Sequence, residues 1–149
     1  MKMAPEEVKY GTPPYKALLN LRYEVLRKPI GMELREKDTA LDYTEHHVGI
    51  FDSNRQAIGC VLLRPLNDHV VLLRQMAVLD SYQGKGIGAK LVAHAETLAS
   101  QKGFTRIETR ARKTAYGFYA KLGYTAIDNV FADEHTLTMG KSLTPGATP

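Results

Sequence analysis

The 149-residue sequence predicts a single α/β domain, and three observations carry that prediction. Short apolar runs of strand type alternate with segments whose apolar residues recur at helical spacing. A glycine-rich turn joins a long strand-type run, residues 70–78, directly to a regular helical segment, residues 86–102. The length suits one hydrophobic core. The predicted order of elements is β-α-(α)-β-β-β-α-β-α-β-β, within a domain over residues 5–141.

The N-terminal half is predicted to contain a short strand, an amphipathic helix and a hairpin. After a strand over residues 7–10, Thr12 caps a helix whose first turn holds two prolines and whose apolar stripe ends before Pro29. Residues 31–44 are polar and irregular, with one helical turn. The remaining predicted features are strands 47–51 and 57–63 around the turn 52–54, and a further turn at 67–68.

The C-terminal half continues with the strand 70–78 and the helix 86–102, which Gly103 closes. The other predicted elements are strand 106–111, helix 114–122 with Gly123 as a left-handed cap, strands 124–128 and 135–139, and a disordered tail over 142–149.

The turn Gln83-Gly84-Lys85-Gly86-Ile87-Gly88 predicts a phosphate site. A glycine-rich turn that opens a helix leaves backbone N–H groups unpaired, and the helix dipole adds positive potential. Glycines let a phosphate approach the backbone where a Cβ would collide. The spacing is neither the dinucleotide fingerprint nor a P-loop. An ordinary tight strand-to-helix turn is the alternative.

A second block, Ala115-x-x-Phe118-Tyr119-x-x-Leu122-Gly123-Tyr124, lies downstream. Ala115, Phe118 and Leu122 share one helix face, and Tyr119 is expected off that core stripe with its hydroxyl toward a cleft. The alternative for Tyr119 is a packed aromatic with a satisfied hydroxyl.

Together, this block and the pattern Gln-x-x-Gly-x-Gly resemble the GNAT acyltransferases, which are acetyl-CoA-dependent N-acetyltransferases. The resemblance spans nearly the whole chain and is densest over residues 72–124. It implies a GNAT-type α/β sandwich with a mixed, strongly bent central sheet.

The resemblance also implies residue roles. Backbone groups of Met76 and Val78 pair with the pantetheine arm, beside a bulge, and an N–H near Met76 donates to the developing oxyanion. Tyr119 protonates or hydrogen-bonds the sulfur. Arg112 stands where the family often has Asn, so it reaches a phosphate or lines the acceptor side. The implied cofactor-binding positions are Met76, Ala77, Val78, Gln83, Gly84, Lys85, Gly86, Ile87, Gly88, Ala89, Arg112 and Tyr119.

The order of Leu21-Arg22-x-x-Val25-Leu26, an acidic segment, His46-His47 and Asp133-Glu134-His135-x-x-Met139 resembles a group of small bacterial acetyltransferases of unassigned substrate. On that resemblance His47 and His135 are the candidates for the base or acceptor site, with Glu33 and Glu108 behind them. For each histidine, a hydrogen-bonded structural role is the alternative.

Charge is unevenly distributed in this chain of net charge +4. Residues 83–125 hold eight bases against two acids, a local charge of +6. A basic region of this kind suits a polyanionic ligand such as CoA. Nucleic acid is the alternative ligand, although no RNP, zinc or helix-turn-helix pattern supports it. Residues 31–47 hold five acids against two bases, a local −3, from which a cationic primary amine is expected as acceptor.

The remaining expectations concern class and location. The sequence shows no metal-ligand spacing, no signal pattern and no bilayer-spanning run, and Cys60 in an apolar run reads as a buried structural thiol. We therefore expect a cytoplasmic enzyme that needs no metal and binds neither nucleic acid nor membrane; a homodimer is left open. Direct attack of the amine on acetyl-CoA in a ternary complex is the expected reaction, and a non-catalytic acyl-CoA-binding sensor is the alternative.

Overall fold

A computed structural model describes residues 3–127 and 135–144. Its strands are β1 Glu6–Val8, β2 His46–Phe51, β3 Ala57–Pro65, β4 Val70–Val78, β5 Arg106–Arg112, β6 Thr125–Ala126 and β7 Thr136–Ser142. Its α-helices are α1 Pro13–Arg22, α2 Glu36–Thr39, α3 Ile87–Gln101 and α4 Tyr116–Lys121.

In the described part of the chain the strands form a seven-stranded sheet in the order β1-β2-β3-β4-β5-β7-β6. The sheet is mixed, because β4 and β5 run parallel whereas β1–β2, β2–β3, β5–β7 and β6–β7 are antiparallel. The predicted element order and the α/β class are confirmed, and the strong bend of the sheet stays a prediction.

Helix α1 begins as its sequence predicts. The Thr12 hydroxyl accepts from the backbone N–H of Tyr15 at 3.4 Å, and prolines occupy the first turn, where their missing N–H groups are not needed. Beyond Arg22 the chain continues as a π-helical turn, Tyr23–Arg27, and a 3-10 turn, Lys28–Ile30. The regular α-helix therefore ends at Arg22, and helical turns of different hydrogen-bonding pitch continue through Pro29 to Ile30, one residue beyond the predicted stop.

The turns match their chemistry. The Asp52 carboxylate accepts from the backbone N–H groups of Asn54 and Gln56, both at 2.9 Å, and closes the β2–β3 hairpin. The Asn67 side chain accepts in the same way from the N–H groups of His69 and Val70, both at 2.8 Å. Both predicted turns are confirmed.

Contacts group the chain into two compact units, one comprising Met1–Arg64 with Gln75–Ala95 and the other Pro65–Arg74 with Glu96–Pro149. The core of the first unit packs side chains of α1 against strand residues; its members include Tyr15, Leu18, Leu21, Phe51, Cys60 and Ala77. In the second unit the buried apolar side chains include Val71, Leu73, Phe104, Ile107, Tyr119, Tyr124 and Met139.

The C-terminal elements need one correction. Ser142, expected in a disordered tail, is the last residue of β7, and the N–H of Leu143 donates to the carbonyl oxygen of Thr105 at 2.8 Å. Strand pairing with β5 thus extends further than composition suggested. The predicted end of the 124–128 strand, Asp133, Glu134 and residues 145–149 lie outside the described residues. Gly123 caps α4 at φ 95°, as predicted.

Candidate functional site

The glycine-rich turn is an open loop tied to the end of β4. Gly84 and Gly86 adopt φ values of 78° and 80°, and an added Cβ at either position would meet no atom within 4 Å. The Gln83 side-chain amide donates to the carbonyl oxygen of Val78 at 3.0 Å and to the Asp80 carboxylate at 3.2 Å. The loop therefore presents backbone to open space, and Gln83 fixes where the loop leaves the strand.

A close helix–strand approach positions the start of α3. A Cβ on Gly59 of β3 would lie 2.9 Å from Cγ2 of Ile87 and 3.1 Å from Cδ1 of Leu91, so only glycine lets the helix pack this near. The N–H of Lys90 donates to the carbonyl oxygen of Gly86 at 3.1 Å and closes the first turn. The N–H groups that precede Lys90 have no intrahelical acceptor, so they are available to an anion.

Strand β4 contains a left-handed residue close to where the resemblance places a bulge. Its parallel pairing with β5 covers Val70–Leu73, and Gln75 then adopts φ 56°, a left-handed conformation for a residue with a side chain. Such a conformation costs about 1–3 kcal/mol and tends to be found at functional sites. Gln75 lies directly before Met76, the position expected to hold the oxyanion donor.

Gln75 also carries an unsatisfied group. Its side-chain oxygen Oε1 is buried and has no hydrogen-bond partner among the described residues. A buried polar atom without a partner costs about 1–3 kcal/mol. The backbone oxygen of Gln75 accepts from the Cys60 thiol at 3.7 Å. Cys60 is the buried structural thiol that the sequence predicts: burial raises its pKa to about 12, although the Arg22 guanidinium opposes that rise.

In the second unit Tyr119 lies in the core, which corrects the expectation that it stands off the buried stripe. Its side chain is 6% exposed, and its ring packs edge-on against Phe118 and Tyr124, with centroids 5.0 and 5.5 Å away. Burial raises the pKa of Tyr119, and a hydrogen bond with the Thr109 side chain opposes that rise. The phenol is therefore neutral at physiological pH, as a proton donor must be. Its role at the sulfur stays a prediction.

His47 is part of a buried polar network around Asp42. Nε2 of His47 lies 2.8 Å from the carbonyl oxygen of Asp42, which can only accept, so Nε2 carries the proton. The Asp42 carboxylate accepts from the Tyr15 hydroxyl at 2.6 Å and from the Arg22 guanidinium at 2.7 Å. With His47 only 2% exposed, these contacts favour its structural alternative over the role of base.

The other candidates from sequence lie in different surroundings. His135 is exposed just before β7, and its carbonyl oxygen accepts from the N–H of Lys113 at 2.9 Å. Arg112 is exposed at the end of β5, opposite Thr136 in the β5–β7 register. The structure thus brings Arg112 and His135 to the same end of a strand pair. Glu33 is exposed, and Glu108 pairs with Arg106 at 3.1 Å.

The acidic segment is not the open negative rim that its composition suggested. Asp42 is bound to Arg22, Glu45 pairs with Arg64 at 3.1 Å, and Asp38 pairs with Arg27 at 3.3 Å. Arginines from outside the segment neutralise these three acids, and Glu33 and Glu36 remain as its exposed carboxylates. The local −3 therefore overstates the negative charge that a ligand would meet, so the charge of this segment does not support a cationic acceptor.

Within the first unit the structure brings together Met76, Ala77, Val78 and the loop Gln83–Ala89; within the second it holds Tyr119, Arg112 and His135. Sequence reasoning missed Gln75 and the Arg22–Asp42 pair. A lone arginine in the apolar helix α1 was a signal for a buried ion pair, whereas nothing in the sequence marks Gln75 as left-handed.

The residues that the structure describes include no helix with the length and apolar character of a membrane span. They also include no group of three or more His, Cys, Asp or Glu side chains that could hold a metal ion.

The chain belongs to the acetyltransferase (GNAT) family, whose model matches residues 14–124. An uncharacterized N-acetyltransferase of Chlorobaculum tepidum is 29% identical over 82 residues, covering 55% of this chain and 52% of the relative, so the matched stretch is about half that protein. YyaT, an uncharacterized Bacillus subtilis protein, is 28% identical over 68% of this chain and 67% of its own length.

Two solved structures share the fold. A candidate N-acetyltransferase of Lactobacillus plantarum superposes with a TM-score of 0.81 at 25% identity, covering 94% of this chain and 99% of that one. An aminoglycoside 6′-N-acetyltransferase complexed with coenzyme A superposes with a TM-score of 0.80 at 18% identity, covering 96% and 98%. The predicted family and fold are therefore confirmed.

Proposed function

We propose that this protein is an N-acetyltransferase that takes acetyl-CoA as donor and a primary amine as acceptor, by direct attack in a ternary complex; the amine is supported by the N-acetyltransferases that the chain resembles and not by the charge of residues 31–47. The observation that carries the proposal is the backbone arrangement in the first unit. There the end of β4, with Gln75 left-handed, leads into an open loop with two left-handed glycines before α3. Membership of the acetyltransferase family supports acetyl-CoA as the ligand of this arrangement.

The loop fits a pyrophosphate on physical grounds. Open space lies where a Cβ on Gly84 or Gly86 would stand, so phosphate oxygens can reach backbone N–H groups there. The N–H groups from Gln83 to Ala89 would hold the phosphates, with Lys85 as an exposed cation beside them. Backbone groups of Met76–Val78 would pair with the pantetheine arm as an added strand does.

Acetyl-CoA supplies an acyl group activated as a thioester. The chain's own residues need to orient two substrates and move few protons, because orientation alone can contribute most of the acceleration. The N–H near Met76 would donate to the thioester carbonyl oxygen. The neutral Tyr119 phenol would give its proton toward the sulfur. Of the two candidate histidines, His135 is the exposed one, and it would serve as the base on the acceptor side.

One observation favours the alternative of a non-catalytic acyl-CoA sensor. The Tyr119 ring is buried and its hydroxyl is engaged by Thr109, as a packing residue would be. A sensor would bind acetyl-CoA through the same loop but release no CoA when amines are added.

The proposal is tested by screening primary amines, polyamines and peptides for acceptor-dependent release of free CoA from acetyl-CoA. We expect release with at least one primary amine, and the acetylated amine should be found by mass spectrometry. Binding of acetyl-CoA without release across the screen would support the sensor instead. Release with anionic acceptors alone would contradict the amine assignment.

A further inference from the structure

One face of β5 ends in two exposed arginines that have no partner among the described residues. Along this strand Ile107, Thr109 and Ala111 are buried, and the alternation of strand side chains puts Arg110 and Arg112 together on the opposite face. No hydrogen bond or ion pair joins either guanidinium to a residue that the structure describes. The two residues are about 7 Å apart along the strand, so their long side chains can converge on one group.

The charge of these two arginines is not balanced within the described part of the second unit. Arg106, on the same face of β5, is paired with Glu108 at 3.1 Å, and Glu96 is paired with Lys141 at 3.0 Å. The remaining described acid of this unit, Asp68, lies in the turn before β4, whose first residue is opposite Arg106 at the start of β5. Asp68 therefore lies at the opposite end of β5 from the two unpaired arginines.

The neighbouring strand adds a hydroxyl and an imidazole at the same end of β5. The β5–β7 register places Thr136 opposite Arg112, and directly opposite residues of antiparallel strands share a face. His135 immediately precedes Thr136 and is exposed, and its carbonyl oxygen accepts from the N–H of Lys113 at 2.9 Å. The unpaired arginines therefore share one end of a strand pair with the histidine proposed as the acceptor-side base.

We propose that Arg110 and Arg112 bind a carboxylate or phosphate group of the acceptor, which makes the acceptor a zwitterionic primary amine. The inference rests on the proposed function and narrows its substrate class. A guanidinium presents its N–H donors in a planar fork that matches two oxygens of a carboxylate or phosphate. With the anion held by the arginines, the ammonium group of the acceptor can give a proton to His135 and become the neutral amine that attacks.

Acceptor-dependent release of CoA with matched pairs of amines tests the proposal. Each pair differs in the anion: lysine and 1,5-diaminopentane, phenylalanine and 2-phenylethylamine, and O-phosphoethanolamine and ethanolamine. In at least one pair we expect kcat/KM of the wild type to be about 10- to 100-fold higher for the anion-bearing member, the usual size of a hydrogen bond to a charged group. The pair that responds distinguishes a carboxylate from a phosphate.

Variants assign the preference to the two arginines. Arg110→Gln and Arg112→Gln should each raise KM for the favoured amine about 10-fold. The KM of its anion-free partner and the Kd of acetyl-CoA should stay within about 2-fold of wild type. Lys121→Gln, which removes an exposed cation from α4 in the same unit, is the matched control and should change none of these values.

Four results would contradict the inference. Equal kcat/KM for both members of every reactive pair, or an unchanged KM in both arginine variants, would overturn it and leave the arginines as a solvated face. A similar loss of acetyl-CoA affinity in calorimetric titrations would overturn it too, because it would place the arginines on a phosphate of CoA. Release with anion-free amines alone would overturn the substrate class but support the N-acetyltransferase activity. Release with no amine would refute the proposed function itself.

Discussion

Replacement of Gly86 by alanine separates ligand binding from folding, because the chain offers a matched control. Gly86 and Gly11 both have φ 80°, and an added Cβ at either position meets no atom within 4 Å. An alanine forced into left-handed backbone loses about 1–2 kcal/mol. Gly86→Ala and Gly11→Ala should therefore both stay folded and show similar falls in Tm, about 3–8 °C by the usual scaling for a chain of this size.

The two variants should differ only toward CoA. At Gly86 the new Cβ occupies space assigned to the pyrophosphate, so at least one N–H to phosphate contact is lost. A hydrogen bond to a charged group contributes about 1.5–3 kcal/mol, which predicts a Kd raised about 10- to 100-fold. Gly11→Ala should stay within about 2-fold of wild type. Calorimetric titration with CoA measures both. Wild-type affinity in folded Gly86→Ala would refute the phosphate assignment.

Three further outcomes are expected. Tyr119→Phe should lower turnover about 10²- to 10⁴-fold with acetyl-CoA affinity little changed, measured by CoA release with a verified amine; wild-type turnover would leave Tyr119 as a packing residue. Asp42→Asn removes the carboxylate that pairs with the buried Arg22 and should lower the free energy of unfolding by about 3–5 kcal/mol in urea titrations. Glu36→Gln, at an exposed position, should change that free energy by less than about 0.5 kcal/mol. Equal effects of these two would show that the ion pair contributes nothing. Cys60, with its pKa raised to about 12, should resist maleimide in the native protein at pH 8, and the stability that its neutral thiol contributes should decline as pH rises from about 8.5 toward 12; rapid native labelling would contradict its burial.

The fold was predictable where one short-range signal decides an element. The Thr12 cap with its prolines set the start of α1, and the Asp52 and Asn67 turns set the hairpins, because each acts over three or four residues. The end of β7 was not predictable in this way. Ser142 pairs with Arg106 of β5, and the N–H of Leu143 donates to the carbonyl oxygen of Thr105, both more than thirty residues earlier in the chain.

In the candidate site, too, only the features with a local sequence signal were predictable. The glycine loop was predictable because left-handed backbone favours glycine, so the need is visible in the residue type. Gln75 has the same backbone conformation without that residue type and was therefore missed. The acidic segment was misjudged for a related reason. Its formal charge of −3 includes Asp42 and Glu45, but these acids are neutralised by Arg22 and Arg64, which lie outside the segment.

A crystal structure of the protein with CoA bound tests the central claim most directly. We expect pyrophosphate oxygens about 2.7–3.2 Å from backbone nitrogens of the loop Gln83–Ala89, with the pantetheine arm paired along Met76–Val78. CoA bound elsewhere in the crystal, with the loop nitrogens making no contact to phosphate, would contradict it.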